Sequence, residues 1–484
     1  MVGDDRAETY LRLLAETELR RVLRLPGRMG QRYGEPDPVR PPPWAFGTRS
    51  EIAGSVAHIW WVGDVLVTVG LLGQELGARI AAELDVALTA RAGPEPSGRA
   101  TRLSRALERA GTRPPGAPGE SRRPAQPMQS TPIGRTLRVA NERAPSELHL
   151  MTLVRTPASA AIAAMMRMSW PSDGSSADLE ITGAGPQHLP YDQLWAVDDR
   201  GTRYRLQLVG EGGTAAWHGT AELSPAPPPG ARWLDLIADE TRRLVRLDLA
   251  RPEAAATAVR STAERSPGAP PGERLLGGLA EQILASAGDT GGASADPNLG
   301  EIIAVLAAAG ALAPDSPTPG HLAAVCQRLG AQGHGITAPA RADIPVRWAS
   351  VLAGLDRGPA GPGPEWYAPL AAILPDVDQT RFALGGLTSA AGQSHLHVVA
   401  TGVPLPAGGR DPGFSWWLRD DDGAWHVGTQ SHPYLGDSGQ TAFRVRLTPP
   451  LGARPEEIEV VVTGWLNRVR AVVPVPETSG MPDN

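Results

Sequence analysis

The sequence predicts an α+β fold in which a helical segment followed by an antiparallel β-sandwich occurs twice in tandem. Three observations carry this expectation. Stretches with helical periodicity alternate with stretches of short strand patterns. Linkers rich in proline and glycine separate them, as suits a chain of 484 residues with 56 glycines and 48 prolines. Finally, one block recurs at a fixed spacing: Trp195-Ala-Val-Asp198-Asp199-Arg-Gly201 and Trp417-Leu-Arg-Asp420-Asp421-Asp-Gly423 lie 222 positions apart.

Taken in order, residues 1–25 open with an amphipathic helix. Leu11, Leu14, Ala15, Leu19 and Val22 share one face, opposite Arg12, Glu16 and Arg20. Residues 50–92 read as a pair of helices broken near Gly70 to Gly73, and 93–133 as a Pro/Gly/Arg-rich linker. The first sandwich is expected over 134–250. Its strand candidates are Glu147–Val154, Asp178–Thr182, Gln193–Val197, Tyr204–Val209, Trp217–Leu223 and Trp233–Ala238. After a linker at 251–271, a second helical segment spans 272–355 and a second sandwich 376–476.

The repeat extends to Pro227-Pro228-Pro-Gly230-Ala231-Arg232 with Pro449-Pro450-Leu-Gly452-Ala453-Arg454, again 222 apart. Val65-Leu66, Gly70 and Leu72 echo Val305-Leu306, Gly310 and Leu312 at a spacing of 240. Asp-Asp-x-Gly between strand patterns is hairpin chemistry, with the aspartate bonding its own turn and the glycine taking positive φ. The preceding tryptophan is a large apolar anchor. This layout resembles immunoglobulin-like β-sandwich modules over about 200 residues in two pieces. The resemblance implies paired sheets but no particular function. Neighbouring strand residues point to opposite faces. If Trp417 faces the core, Trp416 faces outward, so a helix pair or a partner is expected to cover it.

Composition excludes several chemistries. All 46 basic residues are arginine, as in high-GC bacterial coding. A lysine-dependent P-loop, a pyridoxal Schiff base and a kinase-type ATP site are therefore absent in standard form. The net charge of −6 argues against non-specific nucleic-acid binding. Cys326 is the single cysteine, so no internal disulfide forms, and its apolar surroundings suit a buried thiol. The N-terminus is charged and opens a helix, unlike a signal peptide. The longest apolar run, Ile302 to Ala313, is too short to cross a bilayer. A cytoplasmic protein is expected.

Five patterns bear on chemistry. Gly436-Asp437-Ser438-Gly439 resembles the nucleophile loop of chymotrypsin-like proteases over four residues, with no matching histidine segment; a polar hairpin loop accounts for it. Gly210-Glu-Gly212-Gly213-Thr-Ala215 matches a degenerate dinucleotide fingerprint, but a strand pattern follows where a helix is needed. His395 and His397 alternate on one strand face and are weak metal candidates, with His426 and His432 in the same segment. Asp420-Asp421-Asp422-Gly423 lacks the alternating ligands of a calcium loop. Arg99, Arg102, Arg105 and Arg109 form one stripe if that stretch is helical, and Arg113, Arg122 and Arg123 extend it.

No pattern rises to a catalytic signature, and no cofactor is implied. The reading is a non-catalytic cytoplasmic interaction or scaffold protein with two similar binding modules and a protein partner. The binding candidates are Arg99, Arg102, Arg105, Arg109 and Trp416. The alternatives are a hydrolase using the C-terminal histidines or Ser438, and a regulator contacting nucleic acid through the arginines of 99–123.

Overall fold

The computed structural model describes residues 7–15, parts of 59–80, and most of 121–477; within the last range the longest stretch left undescribed is 169–193. The fold is mostly β, with 44% strand and 24% helix. This corrects the expected α+β tandem. Each β region is one continuous antiparallel sheet, not a two-sheet sandwich, and among the described residues no tandem repeat of the helices is evident. The physical reason lies in the strands. Long hairpin-linked strands with one apolar face bury that face most simply by curling the sheet on itself.

In chain order, β1 is Ser121–Arg122, β2 Gln129–Val139, β3 Ser146–Arg155, β4 Ala160–Met168, β5 Leu194–Asp198, β6 Arg203–Gly212, β7 Ala216–Ser224, β8 Trp233–Ala238, β9 Arg242–Asp248 and β10 Arg260–Arg265. Four helices follow: α1 Pro271–Ser286, α2 Leu299–Ala308, α3 Thr318–Arg328 and α4 Val346–Asp356. The remaining strands are β11 Trp366–Ile373, β12 Arg381–Ala390, β13 Gln393–Thr401, β14 Pro404–Leu405, β15 Ser415–Arg419, β16 Trp425–Gln430, β17 Tyr434–Leu435, β18 Thr441–Thr448, β19 Glu457–Thr463 and β20 Asn467–Pro474.

The N-terminal sheet runs β2-β3-β4-β7-β6-β5-β8-β9, and the C-terminal sheet β11-β12-β13-β18-β16-β15-β19-β20, with β10 added beyond β20. The two orders correspond strand for strand. In the N-terminal sheet the outermost strands β2 and β9 approach each other, in the C-terminal sheet β11 approaches β20, the neighbour of the edge strand β10, and one sheet is nearly barrel-shaped. The interior of the first holds Leu148, Leu150, Ile162, Met166, Tyr204 and Leu234. That of the second holds Leu370, Phe382, Leu396, Trp416, Phe443 and Val460.

The two turns match in detail. Gly201 and Gly423 both take positive φ, at 80° and 83°. Their amides donate to the Asp198 and Asp420 carbonyls at 3.0 and 3.1 Å. Downstream, the structural equivalence slips by two residues. Asp199 accepts from the Arg232 amide and Asp421 from the Glu456 amide. The Asp235–Arg246 ion pair likewise has its counterpart in Glu459–Arg470. The sequence pairing of Pro227–Arg232 with Pro449–Arg454 is therefore out of register, because runs of proline and glycine align without fixing the strand that follows.

Corresponding strands of the two sheets also face one another: β2 with β11, β3 with β12, β4 with β13, and β7 with β18. Small residues permit this approach. A Cβ added to Gly385 would lie 2.6 Å from the Ala163 Cβ, and one on Gly386 2.2 Å from the Met151 Sδ. The Thr152 hydroxyl donates across the seam to the Leu370 carbonyl at 2.9 Å. Seam strands are buried on both sides, so Ala160 to Met166 and Ser394 to Thr401 read as unbroken buried runs.

The helices gather in one further core. Leu275, Leu279, Ile302, Leu306, Leu322, Val325, Val351 and Leu352 pack together with Leu11, Ile59, Trp61, Val65 and Leu66, and with Trp417, Val427 and Val461 of the C-terminal sheet. The described helical residues of both halves thus share a single core that reaches only the C-terminal sheet. The orientation expected for the paired tryptophans is reversed. Trp416 lies inside the sheet, with Phe382 at 5.2 Å, and Trp417 faces the helices. Gly428 leaves the room Trp416 needs, since a Cβ there would meet the Trp416 Cβ at 2.8 Å. Trp417 is buried, whereas Trp195, at the same place in the first sheet, is half-buried.

Candidate functional site

Two regions concentrate features that chain folding alone does not require. The first is a cavity of about 780 Å³ on the helical side. It is built by the turn after α2, the start of α3 and the loop at 338–341. The α2 helix ends where Gly310, at φ 74°, turns the chain, with the Ala311 amide returning to the Leu306 carbonyl at 2.8 Å. Gly70 turns at the same φ, with the Leu71 amide bonded to Leu66 at 2.9 Å. The Gly272 amide donates to the Ala311 carbonyl at 3.1 Å, tying the start of α1 to the same turn. Ile303, Ala307, Leu312, Ala313 and five prolines at 270, 314, 317, 319 and 339 line the wall; Ser316 and Arg341 are its polar side chains. Arg341 forms a two-pronged ion pair with Asp343 at 2.8 Å, which holds the Asp343 carboxyl down at about 2.

The second region is the seam. His218 of β7 meets His395 and His397 of β13, with ring centroids 4.7 and 5.4 Å apart. All three are buried. Burial pushes His395 and His397 well below the usual imidazole range, helped by the neighbouring His218 and by Arg444. Burial and Arg444 bring His218 down to about 3. The rings are therefore neutral. Next to them is a void of about 10 Å³, room for roughly one water, and the His218 Nδ1 is buried without a hydrogen-bond partner. Arg444 and Arg446 stand in register beside His397 and His395.

That register bears on the metal candidates. A cation bound by His395 and His397 would face two guanidinium groups, and among the described residues no group of three His, Cys, Asp or Glu is placed to hold a metal ion. His426 serves elsewhere. It bonds the Pro449 carbonyl at 2.6 Å and Asp420 at 3.3 Å, where Tyr204 bonds Asp198 in the first sheet. Asp420 is thus a turn residue.

Arg99, Arg102, Arg105 and Arg109 lie outside the described residues, as do Arg113, Arg123, Ser438 with its Gly436–Gly439 loop, His432 and the strand candidate Asp178–Thr182. Trp416 is enclosed in the sheet interior at 1% exposure and presents no ring to a partner. The Gly210 to Ala215 stretch leads from β6 into its antiparallel neighbour β7, so no helix follows the glycines. Cys326 is buried, and burial pushes its thiol up to about 11, which leaves it unreactive. Among the described residues no helix is long and apolar enough to cross a membrane. Sequence reasoning missed His218 as the partner of His395 and His397, because the contact spans two sheets. It also missed the cavity, whose only signal was the density of prolines at 314–319.

No protein-family model matches the chain, and no curated protein matches it. Among solved structures, the crystal structure of a conserved domain protein from Bacillus anthracis aligns over 72% of this chain and 80% of that one, at 6% identity and a TM-score of 0.14. A score that low carries no argument about fold or function.

Proposed function

We propose that this protein is a non-catalytic interaction protein of the cytoplasm that holds an apolar segment of a partner protein on its helical side. The observation that carries the reading is the cavity between α1, α2, α3 and the 338–341 loop. Its volume of about 780 Å³ lies within the range of ligand pockets, and its wall is apolar with few polar groups. Proline-rich walls suit recognition, since little conformational entropy is lost when they order against a partner. The seam faces of the two sheets are occupied by each other. A partner is accordingly read by the helical side, and two sheet-based binding modules are no longer needed.

The test is site-specific photo-crosslinking in the native host. A benzophenone side chain at Ala307, on the cavity wall, should give one defined protein adduct. The same probe at the exposed Gln207 on β6 should not. The adduct should disappear in an Ile303→Asp background. Equal labelling from both positions, or an adduct indifferent to Ile303→Asp, would remove the reading.

A further inference from the structure

The buried histidines at the seam do work that neither the fold nor the partner reading requires. A strand-to-strand seam of this kind is normally closed by apolar side chains, as it is here at Met151, Ala163, Val154, Ala383 and Val399. At the end formed by β7, β13 and β18, three imidazoles take that place.

The charged and titratable groups around them can be named strand by strand. From the C-terminal sheet come His395 and His397 on β13 and Arg444 and Arg446 on β18, with Thr388 of β12 opposite His395 and Thr429 of β16 opposite Arg446. From the N-terminal sheet comes His218 on β7, with Met165 of β4 and Glu211 of β6 as its register partners. Glu222 lies four residues further along β7. Three new protons would add to the positive charge that Arg444 already brings to all three rings. The void beside the rings has room for only about one water to solvate them.

We propose that this seam is an acid-sensitive latch: protonation of His218, His395 and His397 drives the two sheets apart while each sheet stays folded. The sign follows from linkage. In the closed seam the three rings resist protonation, and in the open form they recover the ordinary value near 6.5. The open form therefore binds more protons below about pH 6.5. Closure is fully favoured above that value and weakens as pH falls. With three groups, the open-to-closed ratio rises by up to about 10³ per pH unit. Each sheet keeps its own interior, so the seam can part without exposing either core.

The experiment uses the full chain with Cys326→Ala and spin labels at Gln207→Cys on β6 and Ala453→Cys between β18 and β19. Distances are read by pulsed electron resonance between about pH 7.5 and pH 4.5, with the near-ultraviolet dichroism of the aromatic cores followed in parallel. The latch predicts one narrow distance at neutral pH that lengthens and broadens on acidification while the aromatic signal persists. In His218→Gln/His395→Gln/His397→Gln the midpoint should fall by about one pH unit or more, as three fewer protons drive the opening. If that variant does not fold, His218→Gln alone should move the midpoint in the same direction by a smaller step. A distance unchanged down to pH 4.5 overturns the proposal. So does a distance change that coincides with loss of the aromatic signal, or a midpoint indifferent to the histidines.

Discussion

Trp195 and Trp417 stand at the same place in two sheets of the same strand order, one pairing with Arg205 and Ile237, the other with Val427 and Val461. The first ring is half-exposed, whereas the second is sealed under a helical layer. Strand order and turns are shared because both depend on local chemistry: the Asp-Asp-x-Gly hairpin and alternating apolar residues. The fate of the outer face depends on what packs against it. Among the described residues, it is the C-terminal sheet that sets Trp417 and Val461 beside Ser415, and a helix, α1, brings Glu281 to meet them. The Glu281 carboxylate accepts from Ser415 Oγ at 2.6 Å and Trp417 Nε1 at 2.8 Å. Arg347 of α4 lies over the Trp417 ring at 4.8 Å. Like strand orders thus lead to unlike surfaces, one covered by helices and one wet.

The comparison breaks most visibly at the tryptophans. Trp417→Ala is expected to lower stability by about 3–5 kcal/mol, as for a buried large aromatic. Trp195→Ala should cost only about 1–2 kcal/mol, since part of its surface is never removed from water. Chemical denaturation of both variants checks this. Equal losses would mean the two faces are equally covered.

Next in size is the seam. Gly386→Val forces methyl groups into the space of Met151 and should cost about 3 kcal/mol by overpacking. Gly452→Val, with nothing near its Cβ position, should change the unfolding midpoint little. Similar midpoints for the two variants would count against the close approach of β3 and β12.

The two aspartate turns sharpen the comparison further. Burial raises the Asp198 carboxyl, but hydrogen bonds from Tyr204 and from the Thr202 and Arg200 amides outweigh it, so the net shift is downward. Tyr204 is in turn pushed up to about 12, chiefly by burial and by that bond. Tyr204→Phe should cost about 1.5–2 kcal/mol, the worth of a bond to a charged acceptor. The loss should be full above the ordinary carboxylate range and shrink as acid protonates Asp198. A loss independent of pH would show that the ring's packing, not its hydroxyl, matters.

The smallest effect belongs to Glu281. Burial raises its carboxyl, despite bonds from Ser415 and Trp417 and the charge of Arg347. A raised folded value means that ionising the group costs stability, so its contribution is complete below about pH 4.5 and is lost as pH rises through the folded value. Glu281→Gln should therefore gain on the parent as pH rises, seen as converging or crossing melting temperatures. A constant gap across that range would contradict the assignment.

Much of the local structure is legible in the sequence. The run Trp233–Ala238 is strand β8, and the Asp-Asp-x-Gly stretches are the turns after β5 and β15. Less legible was β4. Ala160 to Ala164 is alanine-rich and has helical propensity, yet it forms a strand because only small residues fit between one sheet's interior and the other sheet. The facing of Trp416 and Trp417 was ambiguous because both faces of that strand are apolar, so alternation gave no choice. The meeting of His218 with His395 and His397 spans nearly 180 positions of chain and left no periodic signal. The curling of each sheet on itself, rather than a sandwich, was likewise invisible, since both bury one face of each strand and differ only in which strands come together.

The central claim is that corresponding strands of two like sheets lie face to face, so that β4 and β13 are buried on both sides. Amide hydrogen exchange of the intact chain at neutral pH, read by mass spectrometry, tests it most directly. The account predicts that peptides covering Ala160–Met168 and Gln393–Thr401 exchange slowest, at rates near those of global unfolding, while Arg203–Gln207 of the half-exposed β6 exchanges much faster. Exchange in β4 and β13 as fast as in β6 would mean that the two sheets do not close on each other.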